Sequence, residues 1–222
     1  MPTVSPHLGS QLVDLGAALL LLTCFAIVAQ RRLSACVDLF ALQSFFLAAT
    51  AALVALLTGV RHIYVAAALT VLLKVLVIPA VLRRVIERLN VTRELVMNIN
   101  VPASLLVSGL LVMVAFVITQ PIIPQGARLT RDSLTIALAI VLIGLFTMIA
   151  RQKAVTQMIA FLVMENGLFL GAIAMTYGMP LIVELGVFFD VLVAALIAGI
   201  YTNRLQDTFD SVDTSRLSEL KE

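Results

Sequence analysis

Apolar stretches about as long as a bilayer is thick follow one another along this chain. Seven of them lie at about 8–29, 34–59, 63–82, 102–120, 132–150, 154–177 and 180–201. A helix of about 20 apolar residues crosses the hydrocarbon core of a membrane and satisfies its backbone polar groups within the span. We therefore predict an all-α polytopic membrane protein with seven transmembrane helices.

Composition supports this fold class and limits the function classes. The chain is 61% hydrophobic and only 13% charged, whereas a soluble domain is typically ~45–50% apolar and ~25% charged. The net charge of +2 is too small to indicate a nucleic-acid partner. Cys24 and Cys36 form no CxxC pair, and His7 and His62 lie in separate loops. We expect no metal, haem or other cofactor in this chain and, since nucleophile sets and phosphate loops are missing from the sequence, no active site of its own.

The basic residues predict the orientation in the membrane. Loops on one side hold eleven Lys and Arg residues, whereas the opposite loops hold only three, Arg61, Arg128 and Arg131. Cytoplasmic loops carry the excess of basic residues. We therefore expect the N-terminus outside, and the C-terminus and the 83–94 loop in the cytoplasm. A multi-pass protein of the cell inner (plasma) membrane follows.

Two carboxylates fall where the membrane is driest. Glu165 lies near the middle of the sixth stretch, and Asp190 near the middle of the seventh. An ionised carboxylate there costs several kcal/mol or more, so each must face a partner, a wet cavity or a proton. A short turn at Gly178 joins the two stretches, which places both carboxylates at a similar depth. We interpret the pair as a proton or ion relay; the alternative is a protonated Glu165 that only hydrogen-bonds across helices.

Lys74 and Glu184 are further relay candidates. Lys74 lies mid-span in the third stretch, where a lysine serves either as a relay group or as an ion pair that fixes helix packing. Glu184 lies near the outer end of the seventh stretch and is either a relay group or a hydrated edge residue. Asp38, near the cytoplasmic end of the second stretch, is expected to face headgroup water or an Arg.

Small residues beside Glu165 indicate close helix packing. Gly167 and Gly171 lie four residues apart on one face of the sixth stretch. Such small-xxx-small faces allow another helix to approach closely. We expect them to form a helix-packing surface next to the carboxylate.

The segment MIAFLVMENGLFLGA, with a carboxylate in the middle of the next stretch, resembles part of the small K subunit of complex I and the related C subunit of Mrp-type antiporters. The polar ending FDSVDTSRLSEL resembles the tail of that family. The likeness covers about residues 130–222. The family's first carboxylate aligns with Leu162, and Glu165 lies three residues later, close to one helical turn away. Asp190 matches the position of the second carboxylate.

Over its whole length the chain resembles the component E family of group 4 [NiFe] hydrogenases of the formate-hydrogenlyase type. That resemblance divides the chain into a four-helix portion at 1–125, a three-helix K-like portion at 126–201 and a polar cytoplasmic tail at 202–222. It implies antiporter-like membrane subunits as partners, with nickel-iron and iron–sulfur centres in other subunits.

The function implied is a non-catalytic membrane subunit that contributes buried carboxylates to a proton or sodium path at mid-membrane. Three alternatives stay open. They are a purely structural scaffold of the membrane arm, a subunit of an Mrp-type cation/proton antiporter, and a transporter that works alone.

Overall fold

The chain is helical almost throughout the part that the structure describes. This structure is a computed structural model, and it describes residues 6–88, 99–121 and 131–176. The elements are α1 (Pro6–Ala29), α2 (Leu33–Thr58), α3 (Arg61–Thr70), a π-helical segment (Val71–Val77), α4 (Ile78–Arg88), α5 (Val101–Thr119), α6 (Arg131–Ala150) and α7 (Ala154–Thr176). Within these three ranges there is no β-strand.

Six of the seven predicted spans are confirmed as helices long and apolar enough to cross a bilayer. Helices α1, α2, α5, α6 and α7 supply one each, and α3, the π-helical segment and α4 together supply the sixth, Ile63–Glu87. The predicted seventh span, at 180–201, lies outside the described residues. The orientation of the termini stays a prediction.

Helix α2 lies at the centre of the bundle. It packs against α1, α3, α4 and α7, whereas α6 packs against α1, α5 and α7. The buried core joins Leu20 of α1 and Phe40 and Leu47 of α2 with Ile140 of α6 and Leu162 of α7. Helix α5 lies at the edge, and Ala115 is the only one of its apolar side chains that is buried. The exposed side chains of α5 form the surface expected against lipid.

Glycines set the closest approaches between helices. A Cβ on Gly16 of α1 would collide with the Thr50 hydroxyl of α2, and a Cβ on Gly144 of α6 would lie 2.9 Å from the backbone nitrogen of Met164 on α7. Only a residue without a side chain fits at such contacts. Gly59 has a different role, since it ends α2 in the left-handed conformation at φ 72° and donates its N–H to the Ala55 carbonyl.

The third span changes its helical geometry in the middle. Pro79, in the first turn of α4, lacks the N–H that an α-helix would direct to the Val75 carbonyl. Just before it, Ile78 donates its N–H to the Leu73 carbonyl, five residues earlier, which is the π-helical pattern. The proline therefore accounts for the wider turn. This turn contains Lys74.

Candidate functional site

Two charged side chains meet in the interior of the helix bundle. Lys74 is 2% exposed and Glu165 is 4% exposed. The Lys74 Nζ lies 3.0 Å from the Glu165 Oε1. The residues belong to the π-helical segment and to α7, so the contact joins the third and sixth spans.

Burial makes this pair consequential for both stability and chemistry. Removing one partner of a buried ion pair leaves a desolvated charge and typically costs ~3–5 kcal/mol. The Lys74 ammonium and the Glu165 carboxylate therefore each depend on the opposite charge of the other to remain ionised in this interior. The pair also has a neutral form, in which the proton has passed from the ammonium to the carboxylate and both charges vanish. An arrangement of this kind can hold or pass a proton without an isolated buried charge.

A chain of buried amides extends from the ion pair to α1. The Lys74 Nζ donates to Asn166 Oδ1 at 3.2 Å, and Asn166 Nδ2 donates to Gln43 Oε1 at 3.3 Å and to Ser44 Oγ at 3.1 Å. Gln43 Nε2 then donates to the Leu20 carbonyl at 3.2 Å. Asn166, Gln43 and Ser44 are completely buried. We call these residues, with Lys74 and Glu165, the polar network; it connects α1, α2, the π-helical segment and α7.

Local structure explains how the network residues reach one another. Lys74, in the π-helical segment, lies on the same buried face as Thr70 and Ile78, and its ammonium contacts α7. Glu165 and Asn166 are neighbours on α7, so one ammonium contacts both. π-helical turns of this kind are frequent at functional sites. The side chain that the turn positions is the cation of the pair.

The structure brings together two of the predicted relay residues, Lys74 and Glu165. Asp190 and Glu184 lie outside the described residues, so their predicted relay roles stay predictions. Asp38, expected to face headgroup water or an Arg, pairs with Arg83 at 2.6 Å, and both side chains are more than half exposed. That exposure indicates a solvated surface pair of low energetic value.

The predicted packing glycines lie next to α6. A Cβ on Gly167 would lie 3.0 Å from the Ala137 carbonyl oxygen, and one on Gly171 would lie 3.4 Å from the Ala137 Cβ. Gly167 directly follows the two network residues of α7. The tight contact at Gly167 therefore holds the part of α7 that carries Glu165 and Asn166.

Sequence reasoning missed Gln43 and Ser44. The signal was present, because two adjacent polar side chains interrupt the apolar sequence LFALQSFFLA in the middle of the second span. Uncharged polar side chains in a span typically hydrogen-bond across helices. The prediction of relay residues was based on the charged side chains alone.

Arg151 is a second buried cation, and the sequence did not indicate its burial. It was counted among the loop cations, yet it is only 4% exposed. Its Nη2 donates to the carbonyls of Ile27, Val28 and Gln30 at 3.4, 3.0 and 3.1 Å, where α1 ends. Burial lowers the pKa of the Arg151 guanidinium, and the nearby Cys36 opposes that shift. A cation at a helix C-terminus is favourable, so Arg151 ties the α6–α7 connection to α1.

The described ranges contain no candidate metal site. No three His, Cys, Asp or Glu side chains there lie close enough together to hold an ion. Cys24 and Cys36 are separate buried thiols.

Known proteins resemble this chain along nearly its entire length. The protein named Uncharacterized protein Rv0085, from Mycobacterium tuberculosis, is 39% identical over 218 residues, which cover 96% of this chain and 97% of that protein. Hydrogenase-4 component E of Escherichia coli K12 is 23% identical over 216 residues, 96% of this chain and 99% of the relative. The protein of the same name from Shigella flexneri gives the same values. No family model matches the chain, and no solved structure does.

Proposed function

The chain belongs to one family with Rv0085 and hydrogenase-4 component E, and on this premise we propose that it is a non-catalytic membrane subunit of a complex-I-like [NiFe] hydrogenase. Six helices of the described residues are long and apolar enough to cross a bilayer, which supports a place in the membrane. Its proposed work is to contribute ionisable side chains to a proton or sodium path at mid-membrane, which couples the redox reaction to ion movement.

The buried pair of Lys74 and Glu165 supports the translocation role most directly. The two residues come from different spans, are almost completely buried and lie 3.0 Å apart. Ionisable side chains inside a membrane bundle are costly, and they mark ion pathways and proton relays. We place Asp190 on the same path, as the second carboxylate of the pair proposed with Glu165, and Glu184 nearer the outer surface.

The proposed assembly supplies what this chain lacks. Antiporter-like membrane subunits would continue the path on either side of the polar network. Nickel-iron and iron–sulfur centres would lie in other subunits, and electrons would not pass through this chain. The whole would reside in the inner (plasma) membrane, with the tail at 202–222 in the cytoplasm.

A scaffold is the second candidate function, and one observation favours it. The polar network hydrogen-bonds four helical elements to one another, and such bonds stabilise a bundle whether or not an ion moves. A transporter that works alone is another alternative, and the last is a subunit of an Mrp-type antiporter. It differs in its partners, which would include no hydrogenase subunits.

Amide variants distinguish the relay from the scaffold. We expect Glu165→Gln and Asp190→Asn to leave the complex assembled while ion translocation, measured in sealed vesicles, falls severalfold. Affinity isolation through a tag on this chain gives the assembly control and should recover hydrogenase subunits. Full coupling in the double amide variant would show that both residues are structural.

A further inference from the structure

We propose that Gln43 and Asn166 determine which ion the site handles. They hold an acceptor oxygen against Lys74, whose ammonium occupies the position that a mobile cation would need, and the site therefore handles protons and not sodium. This inference rests on the proposed function and names the ion of the same path. It assigns a role to two residues that carry no charge.

The direction of the amide chain is fixed at its far end. The Leu20 carbonyl is only an acceptor, so Gln43 must turn its Nε2 toward it. The Gln43 Oε1 then faces Asn166 and accepts a hydrogen bond from the Asn166 Nδ2. Asn166 Oδ1 is consequently left for Lys74. Each amide has one orientation that satisfies both neighbours, because the reverse orientation would set oxygen against oxygen.

Ser44 reinforces this orientation. Its hydroxyl accepts from the same Asn166 Nδ2 at 3.1 Å. Both hydrogens of the Asn166 amide group are therefore directed at α2, by Gln43 and by Ser44. With Asn166 and Gln43 completely buried, no water competes for these bonds, and the position opposite Asn166 Oδ1 requires a hydrogen-bond donor or a cation.

Lys74 fills that position with a cation tethered to the chain. Its Nζ lies 3.2 Å from Asn166 Oδ1 and 3.0 Å from Glu165 Oε1. An alkali ion leaves water only for several oxygen ligands that replace its hydration shell. The Gln43 and Ser44 oxygens already accept from Asn166, and Asn166 Oδ1 and Glu165 Oε1 contact the ammonium. A sodium ion would therefore have to displace the ammonium from its contacts with Asn166 Oδ1 and Glu165 Oε1.

A proton needs no such space. The Nζ–H bond of Lys74 breaks and an O–H bond forms on Glu165, which converts an ammonium and a carboxylate into an amine and a carboxylic acid. No other reactant takes part, and the number of protons in the pair is unchanged. Asn166 Oδ1 accepts a hydrogen bond from either form of Lys74, so the amide chain keeps the geometry during the transfer.

Sodium binding tests this inference without relying on transport. The thermal unfolding midpoint of the purified complex is measured in sodium chloride and in choline chloride at equal ionic strength, for the natural chain and for Glu165→Gln. A ligand that binds the folded protein raises this midpoint. We expect sodium to have the same effect in both proteins. A sodium-specific rise that Glu165→Gln abolishes would overturn the inference.

Gln43→Met tests the positioning role, with Thr50→Val as the matched control. Both remove a buried polar group from α2, but within the described residues the Thr50 hydroxyl bonds the Phe46 carbonyl of its own helix and no other helix. We expect a severalfold fall in ions translocated per H₂ in the Gln43 variant and little change in the control, with equal amounts of complex. If the Gln43→Met complex does not assemble, Gln43→Glu is measured instead. Glutamate keeps the length and shape of the glutamine side chain, but its ionised carboxylate cannot donate a hydrogen bond to the Leu20 carbonyl. An unchanged ratio would remove Gln43 from the site.

The two proposals fail in different ways. If Glu165→Gln leaves translocation intact, the relay function itself is wrong. If translocation is lost in Glu165→Gln but sodium binds at Glu165, the relay stands and the assignment to protons is wrong.

Discussion

Lys74→Met is the substitution whose effect follows most closely from the structure. Methionine keeps an unbranched side chain of similar reach but has no charge, so Glu165 loses the ammonium at 3.0 Å. Breaking a buried ion pair in this way typically costs ~3–5 kcal/mol. The carboxylate can escape part of the cost by binding a proton, which at pH 7 costs a glutamate about 3.7 kcal/mol. The hydrogen bond to Asn166 is lost as well, at about 1 kcal/mol.

We therefore expect Lys74→Met to destabilise the bundle by ~3–5 kcal/mol. The double variant Lys74→Met/Glu165→Gln replaces both charges with neutral groups of similar shape. Replacing a whole buried pair is far less costly than breaking it, so the double variant should be more stable than the Lys74 single variant.

Thiol labelling measures this inside the intact complex. Cys24 and Cys36 are 1% and 3% exposed and free, so a maleimide reaches them only when the bundle opens. A loss of about 3 kcal/mol raises the open population roughly 150-fold, and the labelling rate should rise accordingly. A Lys74→Met chain that labels at the natural rate would refute the reasoning. So would a double variant that labels faster than Lys74→Met.

Three further predictions concern packing, the end of α1 and topology. Gly144→Val should disrupt the α6–α7 contact and strongly lower the amount of assembled complex seen on native gels. Gly109→Val should not, because a Cβ at Gly109 would have no atom of the described residues within 4 Å; equal amounts of both variants would contradict this. Arg151→Met should destabilise the chain by ~1–3 kcal/mol through its lost bonds to α1, read as faster thiol labelling; an unchanged rate would argue against the role. Cysteines introduced at Asn90 or Ser215 should not react with an impermeant reagent added to intact cells, because both positions are predicted to be cytoplasmic. Labelling from the outside would contradict the predicted orientation.

The spans were predictable because a bilayer leaves few alternatives. Apolar segments of about 20 residues must be helices there, and the described bounds of the first span, Leu8–Ala29, match the sequence estimate. The mid-span charges were equally visible, since Lys74 and Glu165 each interrupt an apolar segment. Rarity alone indicated that both residues matter.

The partnership between Lys74 and Glu165 was not predictable from the sequence. The residues are separated by three further helices along the chain, and their contact depends on how each span is rotated about its axis. The π-helical turn before Pro79 changes that rotation for Lys74. Gln43 was not predicted for a related reason. The hydrogen-bonding role of an uncharged side chain becomes visible only once its partner, here Asn166, is known to lie opposite it.

The ratio of ions translocated to H₂ turned over tests the central claim most directly. It is measured in sealed membrane vesicles for the natural chain, Lys74→Met and Thr70→Val. Thr70 is the matched control, because it is buried one turn before Lys74 and, in the part of the chain that the structure describes, bonds only the Ala66 carbonyl of its own helix. We predict that the ratio falls severalfold in Lys74→Met, in complexes that remain assembled, and stays unchanged in Thr70→Val. An unchanged ratio in assembled Lys74→Met complexes would contradict the claim that this ion pair carries the translocated charge.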